Sequence, residues 1–371
     1  MKNRYVIGLN SGTSFDGIDV ALVKFKKNDL TPIFLDGIVC EYPRHIKEKI
    51  RKLIVGALRA KPSEKIAQLD IILGNLFADA ALRLIKKNKL KKEDILLIAS
   101  HGQTIYHKPR VKSVQISNGK IIAKKTGIKT INNFREGDIK AGGEGAPLMP
   151  FLDSVLFRDL PRQVCTLNIG GISNVTVVGK NITPIAFDIG PGNALIDLIT
   201  KKYFKKDFDK DGKLALKGKI DFKSIEHALK DPYFKKKPPK STGKEYFNQK
   251  FIDEFFSQIK NNQNKIATVT YFSAKVIEKS LRDFVLPKYD VKEIVVSGGG
   301  VKNKTLMRHL VRACHGVPLL TKSDKYGMPS KYKEAILFAL LGYTCHLRKP
   351  NNIPSCTGAK KKVILGKIIK V

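Results

Sequence analysis

The sequence Asn10-Ser11-Gly12-Thr13-Ser14-Phe15-Asp16-Gly17 directly follows an apolar, strand-like run at residues 6–9. The same pattern returns twice, where residues 164–167 run into Asn168-Ile169-Gly170-Gly171-Ile172-Ser173-Asn174 and residues 293–296 run into Ser297-Gly298-Gly299-Gly300. Glycine lets backbone N–H groups approach an anion closely, and Ser or Thr adds hydroxyl donors. One such turn is weak evidence, but three of them predict an ATP site built from two lobes.

The first turn has an ordinary interpretation as well, because Gly-Thr-Ser and Asp-Gly are common in hairpins. Taken alone, it fits a hairpin and a phosphate loop equally well. Its spacing matches neither of the two best-known nucleotide motifs, since no Gly-Lys-Ser/Thr follows it and no G-x-G-x-x-G opens a helix. A Rossmann oxidoreductase is therefore disfavoured.

The size and composition of the chain indicate two domains and no membrane span. Its 371 residues exceed the size at which one hydrophobic core stops growing, and 42% of them are hydrophobic. The longest apolar stretch, around residues 335–342, is far shorter than the roughly 20 residues of a membrane helix. The apolar run after the basic start is also shorter than the roughly 7 residues that a secretory signal needs. We expect a soluble, cytoplasmic protein with no membrane partner.

Cysteine usage and charge exclude several classes of protein. The five cysteines are odd in number and form no C-x-x-C pair, so neither a disulfide framework nor a zinc site is indicated. The formal charge of +36 comes mostly from scattered lysines. Nucleic-acid modules usually add stacking aromatics or a recognisable helix motif, and neither is evident here. We interpret the charge as a Lys-rich surface and do not expect a nucleic-acid partner.

The hydrophobic pattern predicts two halves of similar organisation. Each half starts with three short strands, at residues 6–9, 20–25 and 32–39 and again at 164–169, 173–178 and 183–188. Helices are predicted at 46–58, 66–88, from near residue 193, across most of 245–286 and at 332–347, and further strands at 95–99, 293–297 and 362–369. The segment 207–241, rich in Lys, Asp, Gly and Pro, is predicted to be a surface excursion and the poorest place to seek chemistry.

Asp188 is the first candidate catalytic residue. It ends a predicted strand and is followed by Gly190 and Gly192 before a probable helix start. A carboxylate at a strand end beside a phosphate site is well placed to accept a proton from a hydroxyl or a water. An N-terminal helix cap or an Asx-turn is the alternative, and the neighbouring glycines favour the base.

Three further residues are candidates for substrate binding. His101 follows a predicted strand, although a single His is more often a structural hydrogen-bonding group. Arg135 could clamp a substrate carboxylate with two hydrogen bonds, against the alternative of a surface ion pair. Glu334 starts an otherwise apolar helix, where it either compensates the helix dipole or contacts substrate.

These segments resemble the anhydro-N-acetylmuramic acid kinase family. The match runs in order from residue 6 to about residue 368 and rests on eight motifs, at residues 12–19, 100–104, 141–150, 167–174, 187–193, 297–303, 333–335 and 352–359. The resemblance implies an α/β, two-lobed fold of the actin, Hsp70 and sugar-kinase type, which is ribonuclease H-like, with ATP in the cleft between the lobes. We expect an N-terminal lobe at 1–141 and a C-terminal lobe at 142–371, the last segment of which packs back on the first lobe, and a hinge near residues 142–145.

The resemblance also implies a reaction and the residues that perform it. The family uses ATP and water to open 1,6-anhydro-N-acetylmuramic acid and phosphorylate O6, giving N-acetylmuramic acid 6-phosphate and ADP, in peptidoglycan recycling. Asp188 would be the base, His101, Arg135 and Glu334 would bind the sugar, Mg²⁺ would bridge the phosphates, and the enzyme would be a homodimer. The residues expected to bind ATP are Gly12, Thr13, Ser14, Phe15, Asp16, Gly17, Ile18, Asp19, Asn168, Gly170, Gly171, Asn174, Gly298, Gly299, Gly300 and Asn303.

Two alternative functions stay open, and the sequence departs from the pattern of the family or superfamily in two respects. An ordinary sugar kinase of the same fold would phosphorylate a free hydroxyl, and a sugar sensor would keep the fold without catalysis. The intact Asp188 and the absence of an appended helix-turn-helix region speak against a sensor. Asn10 and Asn168 stand where the wider superfamily has Asp, so the nucleotide and water would hold Mg²⁺ largely without protein ligands. Glu144 stands where the family has Gln.

Overall fold

The computed structural model describes residues 4–12, 15–57, 64–313 and 319–371. The chain divides into two compact units, Met1–Leu156 together with Tyr326–Val371, and Phe157–Lys325. The predicted lobes differ from these units, because residues 142–156 and 326–371 belong to the first unit.

Among the described residues, the first part of unit 1 contains six strands and five α-helices. The strands are β1 (Arg4–Ser11), β2 (Gly17–Phe25), β3 (Ile33–Glu41), β4 (Ile95–Lys108), β5 (Lys112–Ile116) and β6 (Thr130–Asn132). The helices are α1 (Arg44–Ala57), α2 (Glu64–Lys87), α3 (Gly119–Thr126), α4 (Glu136–Lys140) and α5 (Met149–Phe157). The predicted strand at 95–99 is longer in the structure, because β5 pairs antiparallel with its second half. His101 and Gln103 thus lie within a strand and not in a loop after it.

The described part of unit 2 contains five strands and six α-helices. The strands are β7 (Gln163–Ile169), β8 (Ile172–Val178), β9 (Ile185–Pro191), β10 (Val291–Ser297) and β11 (Leu319–Lys322). The helices are α6 (Ala194–Phe204), α7 (Phe222–Ala228), α8 (Pro232–Lys235), α9 (Gln249–Phe256), α10 (Asn262–Ser280) and α11 (Lys304–Ala313). A π-helical turn at Leu281–Val285 extends α10.

The end of the chain completes unit 1 with α12 (Lys333–His346), α13 (Pro354–Thr357) and β12 (Lys367–Ile369). β12 pairs antiparallel with β6. The residues of β1 alternate between two cores, because successive side chains of a strand point to opposite faces. Val6 packs with the α12 side chains, while Ile7 and Leu9 pack with those of α2. Gly8 faces α12, and a Cβ at this position would collide with the Ala335 carbonyl oxygen.

The two sheets repeat one topology. In unit 1 the order is β3-β2-β1-β4-β6, and in unit 2 it is β9-β8-β7-β10-β11. In both, the first three strands of the unit form an antiparallel meander, and the next two run parallel to the first. This repeated order is that of the ribonuclease H-like fold, so the predicted α/β fold class is confirmed. Among the described helices, none combines the length and the apolar character needed to cross a membrane.

Candidate active site

The first Gly-rich turn lies between β1 and β2, and Gln103 of β4 holds its first residues. Ser11 Oγ lies 2.6 Å from Gln103 Oε1 and 2.9 Å from the Gly17 carbonyl oxygen. Gln103 Nε2 donates to the Gly12 carbonyl oxygen over 3.4 Å. Gln103 is fully buried, so the turn is tied to the sheet at its base. Thr13 and Ser14, two of the predicted ATP residues, lie outside the described residues.

The second Gly-rich turn connects β7 to β8 and is fastened to the start of α6. The Gly170 carbonyl oxygen accepts from the backbone N–H of Asn193 at 2.8 Å, and the Gly171 carbonyl oxygen accepts from Gly192 at 2.9 Å. A Cβ on Gly192 would lie 2.5 Å from the Gly170 oxygen. The close approach of the two segments therefore requires glycine at 192.

The third Gly-rich turn, after β10, packs against the end of β7. A Cβ on Gly298 would lie 2.6 Å from Asn168 Oδ1, and φ at Gly298 is +91°, a conformation that favours glycine. A Cβ on Gly299 would meet no atom within 4 Å. Unit 2 thus brings Asn168, Gly170 and Gly298 to one region. Asn303, also predicted to bind ATP, accepts from the backbone N–H of Leu306 at 3.0 Å and caps α11.

Asp188 lies in β9 and is held at three points by residues 233–242. Its backbone N–H donates to the Lys240 carbonyl oxygen at 2.9 Å. Its carbonyl oxygen accepts from Tyr233 Oη at 2.7 Å. Its side-chain Oδ2 accepts from the backbone N–H of Thr242 at 3.0 Å. The carboxylate is neither a helix cap nor part of an Asx-turn through this contact, because Thr242 is 54 residues away.

Lys240 corrects the prediction that residues 207–241 form a surface excursion. This lysine is only 7% exposed, and its carbonyl oxygen binds the Asp188 amide. Composition misled us because it reports the average hydration of a segment, whereas the burial of one lysine depends on tertiary packing. The tyrosine and threonine contacts to Asp188 were missed for the same reason, since hydrogen bonds between distant segments leave no periodic signal.

Lys244 is a further residue that the sequence did not indicate. Its stem lies across the second Gly-rich turn, where a Cβ on Gly171 would meet Lys244 Cε at 2.5 Å and Nζ at 3.3 Å. Burial raises the pKa of Asp197, in the first turn of α6, to about 6, and the charge of Lys244 opposes this rise. The Lys244 ammonium group therefore lies close to the backbone N–H groups of this turn.

His101 and Arg135 form a buried pair in unit 1. Arg135 Nε donates to His101 Nε2 at 3.1 Å, and its NH1 donates to the Gly145 carbonyl oxygen at 2.8 Å. Because a guanidinium only donates, His101 Nε2 must be unprotonated. Burial and the Arg135 charge hold the pKa of His101 well below its usual value, so the ring is neutral. It stacks on Phe338 of α12 with ring centroids 4.2 Å apart.

Glu334, the third predicted sugar residue, meets the end of β1. Asn10 Nδ2 donates to Glu334 Oε2 at 2.5 Å. Asp19 is the cross-strand partner of Asn10, and burial, followed by the charges of Glu334 and Asp16, raises the pKa of Asp19 to about 6. Burial also lowers the pKa of Arg135 to about 10, while Glu334 opposes this change. The predicted sugar residues of unit 1 and the first Gly-rich turn therefore interact electrostatically.

The Gly-rich segment 141–147 is organised by the buried carboxylate of Asp138. Its Oδ1 accepts from Asn352 Nδ2 at 2.9 Å and Thr357 Oγ1 at 2.8 Å, and its Oδ2 accepts from the Gly145 N–H at 2.9 Å. Glu144 lies 3.5 Å from Arg110 in a partly exposed ion pair.

Carboxylates in this part of unit 1 fit a magnesium ion only as a partial ligand set. Across residues 4–12, 15–57, 64–313 and 319–371, no group of three or more His, Cys, Asp or Glu residues is placed to hold a metal. Asp19 and Asp16 are close enough to interact, and their hard oxygen donors suit Mg²⁺.

Comparison with known proteins identifies the family. The family model of anhydro-N-acetylmuramic acid kinase matches residues 4–371. The chain belongs to this family. It is 42% identical to the anhydro-N-acetylmuramic acid kinase of Caldanaerobacter subterraneus subsp. tengcongensis, with 99% of this chain and 97% of that protein covered. It is 39% identical to the kinase of the same name from Clostridioides difficile, with 98% of each covered. Among solved structures, component A of (R)-2-hydroxyglutaryl-CoA dehydratase from Acidaminococcus fermentans covers 91% of this chain and 96% of its own at a TM-score of 0.46 and 13% identity.

Proposed function

We propose that this protein is an ATP-dependent kinase that opens 1,6-anhydro-N-acetylmuramic acid with water and phosphorylates O6. The family membership over residues 4–371 supports the substrate. The observation that carries the chemistry is the position of the Asp188 carboxylate. Asp188 lies in β9, the strand that leads into the segment bound to the second Gly-rich turn, and the Thr242 amide holds its carboxylate. Two bond changes, one at carbon and one at phosphorus, would share this site.

In the proposed reaction, Asp188 accepts a proton from water while the water oxygen forms a bond to C1 of the sugar. The C1–O6 bond of the anhydro bridge breaks, and its electron pair passes to O6. O6 then bonds to the γ-phosphorus of ATP, and the bond from that phosphorus to the bridging oxygen breaks to release ADP. The proton on Asp188 returns to solvent. The products are N-acetylmuramic acid 6-phosphate and ADP, with one water consumed.

Each unit would contribute to nucleotide binding. The first unit would offer the backbone N–H groups of the turn at residues 12–17, and the second those of Gly170 and Gly171. Phosphoryl transfer relies on positioning and charge neutralisation, and Lys244, which lies on Gly171, supplies a cation that can neutralise phosphate oxygens. Gly298–Gly300 would face the adenosine, in support of which a Cβ on Gly299 would meet no atom within 4 Å.

Magnesium would supply charge neutralisation between the phosphates when bound. Asp19, supported by Asp16, is the carboxylate we assign to it, because burial and the repulsion from Glu334 and Asp16 leave this group in need of a positive charge. Nucleotide oxygens and water would provide the remaining ligands, as no larger acidic cluster occurs among the described residues.

Arg135, His101 and Glu334 would bind the sugar. The two hydrogen bonds of Arg135 to His101 and Gly145 fix its guanidinium plane, which can still pair with the lactyl carboxylate through its other N–H groups. Neutral His101 serves as the acceptor that orients Arg135. Glu334 would accept from a sugar hydroxyl or amide.

Substrate comparison separates this function from an ordinary sugar kinase. We expect ADP formation with 1,6-anhydro-N-acetylmuramic acid and Mg-ATP, and at least a hundredfold slower formation with open-ring N-acetylmuramic acid or N-acetylglucosamine. Faster turnover of an open-ring sugar would contradict the proposal. We also propose that the enzyme is a homodimer, and light scattering on the purified protein tests this oligomeric state.

A further inference from the structure

Lys240 places an ammonium group in the interior of unit 2, next to the segment that holds Asp188. Its Nζ lies 4.8 Å from the centroid of the Tyr233 ring and 4.9 Å from that of the Phe284 ring. It also lies 3.5 Å from the Tyr233 carbonyl oxygen. Burying an ammonium is unfavourable unless specific contacts compensate it, and cation–π contacts contribute roughly 2 kcal/mol or more when desolvated.

These contacts link the lysine to the three hydrogen bonds between Asp188 and residues 233–242. Its own carbonyl oxygen accepts from the Asp188 amide, and two residues later Thr242 N–H donates to the carboxylate. Its ammonium fixes the ring of Tyr233, whose hydroxyl donates to the Asp188 carbonyl oxygen. Packing alone would not require a charged side chain beside two aromatic rings.

We propose that Lys240 is a positioning residue for Asp188: its charge between Tyr233 and Phe284 fixes residues 240–242 and thereby the orientation of the carboxylate. The proposal rests on the proposed function, in which Asp188 is the base. Burial lowers the pKa of Lys240 to about 8, opposed by the charge of Asp283 and assisted by Lys236 and Lys279, so the ammonium is largely charged at neutral pH.

The test compares Lys240→Met, which keeps length and bulk, with Lys240→Arg, which keeps the charge. We expect Lys240→Met to lower kcat by roughly 10- to 100-fold, because a small misplacement of a catalytic group costs about this much, while KM for ATP stays within about twofold. Lys240→Arg should restore most of kcat. Lys236→Met is the matched control, because Lys236 is exposed and lies 6.0 Å from the same Tyr233 ring, and its kcat should match the wild type.

Two further variants keep the outcome decisive. If Lys240→Met fails to fold, Tyr233→Phe removes the hydroxyl that binds the Asp188 carbonyl oxygen and retains the ring, and its kcat should also fall without a change in KM. An unchanged kcat in Lys240→Met, or in Tyr233→Phe when the former does not fold, overturns the proposal. Asp188→Asn, measured alongside, separates the two claims: if it stays active, the base assignment itself is wrong, whereas an inactive Asp188→Asn beside a fully active Lys240→Met rejects positioning alone.

Discussion

Asn10 Nδ2 donates to Glu334 Oε2 over 2.5 Å, which joins the end of β1 to the start of α12. Asn10 is 2% exposed, so its amide has little access to water. A carboxylate at position 10 would place two acceptors at hydrogen-bond distance with no proton between them. The contact gives a physical reason for Asn, and not Asp, at position 10.

Asn10→Asp should therefore destabilise the protein by about 1–3 kcal/mol, because it replaces a donor with a like charge. Urea unfolding at pH 8 measures the loss. The double variant Asn10→Asp with Glu334→Gln restores a donor and acceptor pair and should regain most of it. A double variant no more stable than Asn10→Asp would show that the pair does not interact as described.

Asp19 should make the stability of the protein depend on pH. Its pKa is raised from 3.8 to about 6, so the native state binds its proton more tightly than the unfolded state. The charged carboxylate thus destabilises the fold by up to about 3 kcal/mol above pH 6, and by roughly half of that at pH 5. Asp19→Asn should raise the free energy of unfolding by these amounts while lowering activity.

Urea titrations of wild type and Asp19→Asn at pH 8 and pH 5 test this dependence. Asp16→Asn is the control, since Asp16 is exposed, and its effect on stability should be small at both pH values. A gain for Asp19→Asn that is equal at pH 8 and pH 5 would argue against the burial and repulsion that we describe.

Lys244→Ala should weaken ATP binding roughly 10-fold or more, because a hydrogen bond to a charged group contributes about 1.5–3 kcal/mol. Lys244→Arg should retain most of the affinity. Calorimetric titration with a non-hydrolysable ATP analogue measures the change. Lys250→Ala, at an exposed position of α9, is the control, and equal affinities of the two alanine variants would exclude Lys244 from the phosphate site.

Asp138→Asn should lower the free energy of unfolding by about 2–4 kcal/mol, because the new amide donors face groups that also donate. The buried acceptor serves Asn352, Thr357 and the Gly145 amide. Asp79→Asn removes an exposed carboxylate 2.8 Å from Lys125 and should cost less than about 1 kcal/mol. Similar losses in the two variants would mean that the Asp138 network contributes little.

The sequence predicted the parts of the fold that local pattern determines. Short apolar runs separated by turns marked the β1-β2-β3 meander, and apolar residues at three- and four-residue spacing marked α2. Membership of the kinase family, predicted from eight motifs, is confirmed by the family match. The extension of β4 was missed because the pairing with β5, and not the apolar pattern, continues that strand.

The sequence predicted the site residues that belong to a motif. It did not predict the contacts that distant segments make with them. The sequence indicates Asp188 because it ends a predicted strand before two glycines, although β9 continues to Pro191. The groups that hold it come from residues 233–242, in and just after a polar, Pro-rich segment, and burial there arises from the rings of Tyr233 and Phe284. The roles of the individual site residues stay predictions.

The central claim is that Asp188 activates a water that becomes part of the product. We would incubate the protein with Mg-ATP and 1,6-anhydro-N-acetylmuramic acid in oxygen-18 water and analyse the products by mass spectrometry. The account predicts one heavy oxygen at C1 of a 6-phosphorylated product, and a loss of at least roughly 100-fold in its formation by Asp188→Asn, with nucleotide binding retained. A phosphorylated product without oxygen-18 at C1, or an Asp188→Asn variant as active as wild type, would contradict it.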